Sequence, residues 1–199
     1  VKGMIESVDQ SVGRILGTLK EEGLLENTLV IFTSDNGGYI SYSGGFENIS
    51  SNGPLRGQKT QVYEGGHRVP TIAFWPGKIK PGVTDQTSIS MDWFPTFAKM
   101  TGISLGELPT DGVDLSPLLF HGKPLPERNL YWRIRGNWAV RSGPWKLTHA
   151  NGKSGFFNLD SDIGETLDLS DQYPEKVKSL QAAYVEWNQD VNTSAQVYE

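Results

Sequence analysis

The stretch from Thr28 to Gly38 reads T-L-V-I-F-T-S-D-N-G-G, an apolar run that ends in oxygen-bearing side chains and two glycines. The run is short, β-rich and nearly continuously apolar, a pattern typical of a parallel strand buried on both faces. In open α/β sheets, ligands bind beyond the carboxyl ends of such strands. Asp35 and Asn36 follow the run directly, so they are predicted to lie at that edge of a sheet.

The segments around this run complete an α/β order. Residues 4–22 carry apolar side chains at three- and four-residue spacing, which predicts an amphipathic helix. Residues 68–75 predict a second strand, and residues 91–101 predict a second helix. Helix, strand, loop, strand and helix in succession indicate an α/β domain. Residues 36–66, between the strands, are rich in Gly, Ser and Asn and predict either a long binding loop or disorder.

The composition changes after residue 129. Four short segments separated by Gly, Asn and Pro turns predict an antiparallel meander, over 130–134, 138–141, 145–148 and 155–159. A helix over 174–190 is predicted to cover one face, because so small a sheet needs a covering element. We therefore predict an α/β fold in two parts: the C-terminal portion of a sheet domain, residues 1–128, and a four-stranded antiparallel sheet with its helix, residues 129–199.

The composition also limits the classes of function. The 199 residues include no Cys, which removes disulfides, thiolate metal sites and a cysteine-derived nucleophile from this chain. A net charge of −5 argues against a nucleic-acid surface, and no apolar run approaches the ~20 residues that span a bilayer. The chain starts at Val1 rather than Met, so we expect it to begin inside a longer protein, and a missing signal peptide says nothing about location.

Asp35 and Asn36 are candidate ligands for a metal ion. Carboxylate and amide oxygens suit a hard cation such as Ca²⁺ or Mg²⁺. The alternative is that Asn36-Gly37-Gly38 is simply a turn after a strand. Two residues cannot complete a Ca²⁺ site, which takes about 6–8 oxygen ligands. The acidic run 160–165 does not fit a calcium-binding EF-hand loop, and we interpret it as a turn with solvated carboxylates.

Lys59 is a candidate ligand for an oxyanion. It lies in a Gly-rich loop, from which its ammonium group can reach a bound anion, although a solvated surface lysine is the alternative. Glu64 and Arg68 are expected to brace this loop by an ion pair or backbone hydrogen bonds. His67 is either a proton donor or an ordinary loop histidine.

Several strings occur in a fixed order along the chain, namely Thr28–Gly38, Pro54–Lys59, Tyr63–Pro70, Asp92–Thr96, Asp111–Leu115, Ala139–Arg141 and Trp145–Leu147. Together they resemble the arylsulfatase family of the alkaline phosphatase superfamily. Ordered matches run from residue 5 to about residue 187, so the resemblance covers nearly the whole chain.

The resemblance implies an alkaline-phosphatase-like sheet and the hydrolysis of sulfate esters at a Ca²⁺ site. Asp35 and Asn36 match the family's second pair of calcium ligands, and Lys59 matches the lysine that binds sulfate and stabilises charge on the leaving side. The family's nucleophile is a formylglycine made from Cys or Ser in a Cys/Ser-x-Pro/Ala-x-Arg motif. The implied substrates are sulfated small molecules or sulfated carbohydrates, and the implied location is periplasmic, secreted or lysosomal.

The sequence departs from a whole sulfatase, because it contains no Cys and no Ser-x-Pro/Ala-x-Arg run. We therefore expect the chain to need its own N-terminal portion for a complete site and to be inactive alone. Two alternatives stay open. One is a phosphodiesterase or phosphonate hydrolase of the same superfamily. The other is a non-catalytic module that presents Trp132, Trp138 and Trp145 to a carbohydrate, unless these tryptophans belong to the core.

Overall fold

The computed structural model describes residues 2–42 and 45–195. Two compact units form: one from the segment up to Phe32 with Thr71–Pro126, the other from Thr33–Pro70 with the chain from Glu127 on. The elements are α1 (Lys2–Glu21), β1 (Val30–Thr33), β2 (Ser41–Tyr42), β3 (Phe46–Glu47), α2 (Glu64–His67), β4 (Thr71–Phe74), α3 (Trp93–Thr101), α4 (Ser116–His121), β5 (Asn129–Ile134), β6 (Asn137–Ser142), β7 (Trp145–Ala150), β8 (Lys153–Asn158) and α5 (Pro174–Ala195).

The first unit contains the predicted helix–strand–strand–helix order. α1 and α3 lie where the apolar spacing predicts them, and β1 and β4 are neighbours in a two-stranded sheet. α3 ends at Gly102, whose φ of 73° is the left-handed conformation that closes many helices. Before α3, the buried carboxylate of Asp92 accepts hydrogen bonds from the backbone N–H groups of Ile89, at 2.8 Å, and Val113, at 2.9 Å. Asp92 thereby fixes both the start of the helix and a distant loop.

The prediction that β1 is buried on both faces is wrong for the described structure. Phe32 in β1 is 39% exposed and Ile72 in β4 is 59% exposed. α1 contains no buried residue, and Met4 is 73% exposed. The physical reason is that its faces are not covered: within residues 2–42 and 45–195 the sheet has two strands, and α1 buries no residue. Large apolar faces of this unit are therefore uncovered.

The second unit is built on the predicted antiparallel meander, in the strand order β5-β6-β7-β8. The turn between β7 and β8 places Asn151 and Gly152 at φ values of 54° and 75°, a conformation that Asn-Gly pairs favour. α5 packs on one face, where Val140, Phe156 and Leu180 belong to one buried cluster. The predicted sheet and its covering helix are thus confirmed.

The opposite face of the meander packs against the long loop that follows β1. Val62 from that loop is buried together with Ala139 and Ala150 of the sheet. The loop therefore groups with the meander in one unit, whereas the sequence analysis assigned it to the first domain. The division at residues 128 and 129 stays a prediction about domains.

The three tryptophans of the sheet pack within this unit. Trp132 stacks on His67 with ring centroids 4.2 Å apart, Trp138 stacks on Tyr184 at 4.1 Å, and Trp145 stacks on Phe156 at 5.2 Å. Their rings are engaged by the molecule's own aromatic groups, which agrees with the interpretation of these residues as core.

Candidate functional site

The turn after β1 presents two oxygen-bearing side chains. Asp35 is exposed, and within the described residues no hydrogen-bond or ion-pair partner contacts its carboxylate. Asn36 is partly buried, and its Nδ2 donates to the Gly37 carbonyl at 3.0 Å. That bond leaves the Asn36 Oδ1 atom as an acceptor. The turn therefore offers a carboxylate and an amide oxygen on consecutive residues, the donor types that a hard cation prefers.

Glycines hold this turn against α2 by close backbone contact. The Gly37 N–H donates to the Gly66 carbonyl at 3.1 Å. A Cβ atom on Gly37 would overlap the Gly65 carbonyl oxygen, and one on Gly66 would overlap the Gln61 carbonyl oxygen. Gly37 therefore lets the turn approach α2, and Gly66 lets α2 approach the Gln61 backbone, more closely than side chains would permit.

Asn52 connects the same turn to the loop that carries Lys59. Its Oδ1 accepts from the Gly38 N–H at 3.0 Å, while its Nδ2 donates to the carbonyls of Gly38, at 2.8 Å, and Gly57, at 3.0 Å. The Lys59 N–H also donates to the Gly38 carbonyl, at 3.3 Å. The backbone of Lys59 is thus bonded to Gly38, which follows Asn36 by two residues in the sequence. The structure brings the three predicted site residues onto adjoining segments of one unit.

A buried charge cluster includes Glu64 of α2. Lys146 on β7 is fully buried, and its Nζ lies 2.7 Å from Glu64 Oε1 and 3.0 Å from Glu165 Oε1. Glu165 Oε2 also accepts from the Glu64 backbone N–H at 2.7 Å, and the Glu165 carbonyl accepts from Arg56 at 2.8 Å. The cluster therefore connects α2 to strand β7 through Lys146, and it connects Arg56 to Glu165.

Two arginines approach the second oxygen of Glu64. Arg68 Nη1 lies 3.4 Å and Arg141 Nη1 lies 3.5 Å from Glu64 Oε2. The expected ion pair between Glu64 and Arg68 is thus confirmed. Arg68 is half-exposed, whereas Glu64 is almost completely buried. Both arginines share the carboxylate of Glu64.

The two carboxyl groups of the cluster titrate differently. Burial acts to raise the pKa of Glu64, but Lys146 and its other cationic neighbours outweigh burial and hold the pKa below the usual 4.5. Burial raises the pKa of Glu165, and the attraction of Lys146 offsets this in part. The difference follows from the neighbouring charges, because Arg141 also lowers the pKa of Glu64, whereas the charge of Glu64 raises the pKa of Glu165.

His67 is part of the same cluster. Its Nε2 lies 3.2 Å from the Val62 carbonyl and 3.2 Å from Lys146 Nζ, and its ring stacks on Trp132. Burial, and then the charge of Lys146, lower the pKa of His67 to about 3. The imidazole is therefore neutral near pH 7. This arrangement favours a structural histidine over a proton donor.

Sequence reasoning missed most of this cluster. The interpretation of residues 160–165 as solvated is wrong for Glu165, which is completely buried, although Asp162 does form the expected turn by accepting from the N–H groups of Thr166 and Leu167. The available signal was Lys146 itself. It alternates with Thr148 and Ala150 on the buried face of a strand, where a charge requires a partner.

Asp35 and Asn36 stay candidate metal ligands. Among residues 2–42 and 45–195, no three His, Asp or Glu side chains are grouped so that they could hold a metal ion. The donor atoms of Asp35 and Asn36 fit Ca²⁺ chemically, but Ca²⁺ requires about 6–8 oxygens. No helix in the described part of the chain is long and apolar enough to cross a membrane.

Comparison with known proteins identifies the family. A family model described as Sulfatase matches residues 2–103. Arylsulfatase A of Homo sapiens is 42% identical over 146 residues, which cover 70% of this chain and 28% of that protein. Steryl-sulfatase of Rattus norvegicus is 47% identical over 123 residues, which cover 58% of this chain and 21% of that protein. The chain belongs to the sulfatase family.

Solved structures share the fold of this chain. Ps i-CgsB in complex with k-i-k-neocarrahexaose superposes with a TM-score of 0.81 at 29% identity, over 93% of this chain and 42% of that one. Phosphonate monoester hydrolase SpPMH from Silicibacter pomeroyi has the same fold, with a TM-score of 0.66 at 21% identity, over 92% of this chain and 39% of that one. The chain spans less than half the length of these relatives.

Proposed function

We propose that this chain is the C-terminal part of a sulfuric ester hydrolase, in which Lys59 binds the sulfate group and Asp35 and Asn36 hold Ca²⁺. The observation that carries the proposal is the Asn52 clamp. By bonding to Gly38 and Gly57, it holds a cationic loop against a turn that presents two metal-ligating oxygens. A positive side chain beside a hard-cation site is suited to a tetrahedral oxyanion.

The chemical role of Lys59 follows from the charge of a sulfate ester. The ester carries a negative charge that repels an anionic nucleophile, and further charge develops on the leaving oxygen as the S–O bond breaks. The ammonium group of Lys59 offsets both charges. Ca²⁺, when bound by Asp35 and Asn36 with ligands from elsewhere, adds a divalent charge beside the sulfate.

The nucleophile is proposed to be a formylglycine on a segment outside this chain. The sequence contains no Cys and no Ser-x-Pro/Ala-x-Arg run from which this group could be made. The isolated chain is therefore proposed to be inactive and a weak Ca²⁺ binder. A periplasmic, secreted or lysosomal location stays a prediction.

A phosphate or phosphonate ester is the second candidate substrate class, because such esters share the tetrahedral shape of sulfate. The fold of the Silicibacter pomeroyi phosphonate monoester hydrolase supports this candidate at the level of architecture alone. Family membership favours the sulfate ester.

Two assays test the proposal. The isolated chain is expected to show no hydrolysis of an aryl sulfate, with or without Ca²⁺. When the chain is joined to a sulfatase segment that carries the nucleophile, Lys59→Ala is expected to lower kcat/KM by about 10²-fold or more. The matched control is Lys153→Ala, at an exposed position of β8. Turnover by the isolated chain, or an unchanged rate in the Lys59 variant, would refute the proposal.

A further inference from the structure

Two tyrosines lie beside Lys59 in the long loop. The Lys59 Nζ atom is 5.7 Å from the centroid of the Tyr39 ring. The ring of Tyr42 meets that of Tyr39 edge to face, with centroids 5.2 Å apart and an interplanar angle of 74°. Tyr42 is 53% exposed. An aromatic surface that is open to solvent therefore adjoins the ammonium group proposed to bind sulfate.

The side chain of Gln58 fixes this surface relative to Lys59. Its Oε1 accepts from the N–H groups of Ile40, at 2.7 Å, and Ser41, at 2.9 Å, and its Nε2 donates to the Ser41 carbonyl at 3.2 Å. Gln58 immediately precedes Lys59, so one residue connects the tyrosine segment to the lysine. The aromatic pair and the cation are thus pre-organised by three hydrogen bonds.

A second contact holds the start of the tyrosine segment. The Ser50 Oγ donates to the Tyr39 carbonyl at 2.5 Å, and the Ile49 N–H donates to the Ile40 carbonyl at 3.1 Å. The backbone carbonyl of Tyr39 is therefore bonded to Ser50, and the ring of Tyr39 contacts the ammonium group of Lys59. Tyr42 stands edge to face against Tyr39, and more than half of its area is exposed to solvent.

We infer that Tyr39 and Tyr42 form a sugar-binding subsite and that the substrate is a sulfated carbohydrate. The inference rests on the proposed function, because it places the sulfate on Lys59. A pyranose ring has a face of C–H groups that packs on an aromatic ring, while its hydroxyl groups remain in water. Tyrosine matches that division with an apolar ring and a polar hydroxyl. The sugar ring lies on Tyr42, and its sulfate ester extends over Tyr39 to Lys59.

The competing explanation is that Tyr39 holds Lys59 by a cation–π contact and that Tyr42 only supports Tyr39. The two explanations predict that the tyrosines influence the binding affinity of different sets of ligands. Support of Lys59 would influence all sulfate-containing ligands equally. A sugar subsite would influence ligands that carry a sugar ring and leave inorganic sulfate unaffected.

The test uses the whole chain and three probes, namely glucosamine 6-sulfate, inorganic sulfate and glucosamine, titrated by NMR. Tyr42→Ala is expected to weaken binding of glucosamine 6-sulfate by about 2–10-fold, the range for a single aromatic contact, and to leave inorganic sulfate unchanged. Tyr42→Phe is expected to restore the affinity, since it keeps the ring. Phe94→Ala, at a 53% exposed aromatic residue of the first unit, is the control.

The outcomes separate this inference from the proposed function. If Lys59→Ala abolishes binding of inorganic sulfate while Tyr42→Ala alters neither sulfated probe, the sugar subsite is refuted and the sulfate site stands. An equal loss of both sulfated probes in Tyr42→Ala also refutes the subsite. If inorganic sulfate binds equally well to the Lys59→Ala variant, the sulfate site is refuted and the subsite falls with it.

Discussion

The Nζ atom of Lys146 lies 2.7 Å from Glu64 Oε1, although 82 residues separate the two in sequence. Both side chains are buried from solvent. A charge in such a position is costly unless it is paired, so the contact commits β7 and α2 to one arrangement. Because the Gly37 turn bonds to Gly66 of α2, this arrangement also sets the position of the candidate site.

Lys146→Met is expected to destabilise the chain by about 3–5 kcal/mol, because it leaves the buried carboxylates of Glu64 and Glu165 without their shared cation. Adding Glu165→Gln is expected to recover part of the loss by removing one of the two charges. Urea denaturation measures both effects. Lys153→Met, at an exposed position of the neighbouring strand, is the control and is expected to change stability by less than about 0.5 kcal/mol. Equal losses in the Lys146 and Lys153 variants would show that the cluster is unimportant.

Substituting alanine for glycine is expected to have opposite effects at two positions. Gly66→Ala places a Cβ on the Gln61 carbonyl and is expected to cost about 1–3 kcal/mol. Gly13→Ala, in α1, meets no atom within 4 Å and is expected to stabilise by about 0.5–1 kcal/mol through helix propensity. Chemical denaturation of the two variants gives the sign of each change. A stabilising effect of Gly66→Ala would mean that the close contact between Gly66 and the Gln61 carbonyl is not required.

Acid is expected to destabilise the second unit through His67. The pKa of its imidazole is about 3 in the folded chain against an ordinary value of 6.5, so between these pH values the unfolded chain binds a proton that the folded chain does not. The contribution of His67 to stability therefore rises with pH across this window, by at most about 1.4 kcal/mol per pH unit, and is fully present above it. Glu64, whose pKa is lowered, adds a further loss below 4.5.

The variant that tests this assignment is His67→Gln, which retains a donor for the Val62 carbonyl but cannot titrate. Its free energy of unfolding is expected to vary less with pH between 5 and 6.5 than that of the unmodified chain. His121→Gln, at an exposed position, is the matched control. A slope that His67→Gln does not alter would contradict a buried neutral imidazole.

Two aspartates are expected to respond differently to alanine. Asp35→Ala is expected to change stability by less than about 0.5 kcal/mol, because its carboxylate is exposed. Asp92→Ala removes a fully buried carboxylate that accepts two backbone N–H bonds, and is expected to cost about 2–4 kcal/mol. Thermal unfolding compares them directly. A large loss at Asp35 would indicate a structural residue rather than a ligand held for function.

The sequence by itself determined the features that depend on neighbouring residues. Apolar spacing predicted α1, α3 and α5, and short β-rich segments separated by Gly, Asn and Pro turns predicted the meander, because helix and strand periods repeat within a few residues. Asp35, Asn36 and Lys59 were not distinguished by their local sequence; they became candidate site residues only through the ordered strings that resemble the sulfatases, and their roles stay predictions.

The tertiary structure decided which of these segments meet. Nothing near Glu165 indicates a buried side chain, since its cation lies 19 residues away on strand β7, and nothing near Lys146 names Glu64 as its partner. The exposure of β1 was likewise unreadable, because an apolar strand has the same pattern whether or not other strands flank it. Pairing between distant residues depends on how whole elements pack, and local sequence carries no record of that geometry.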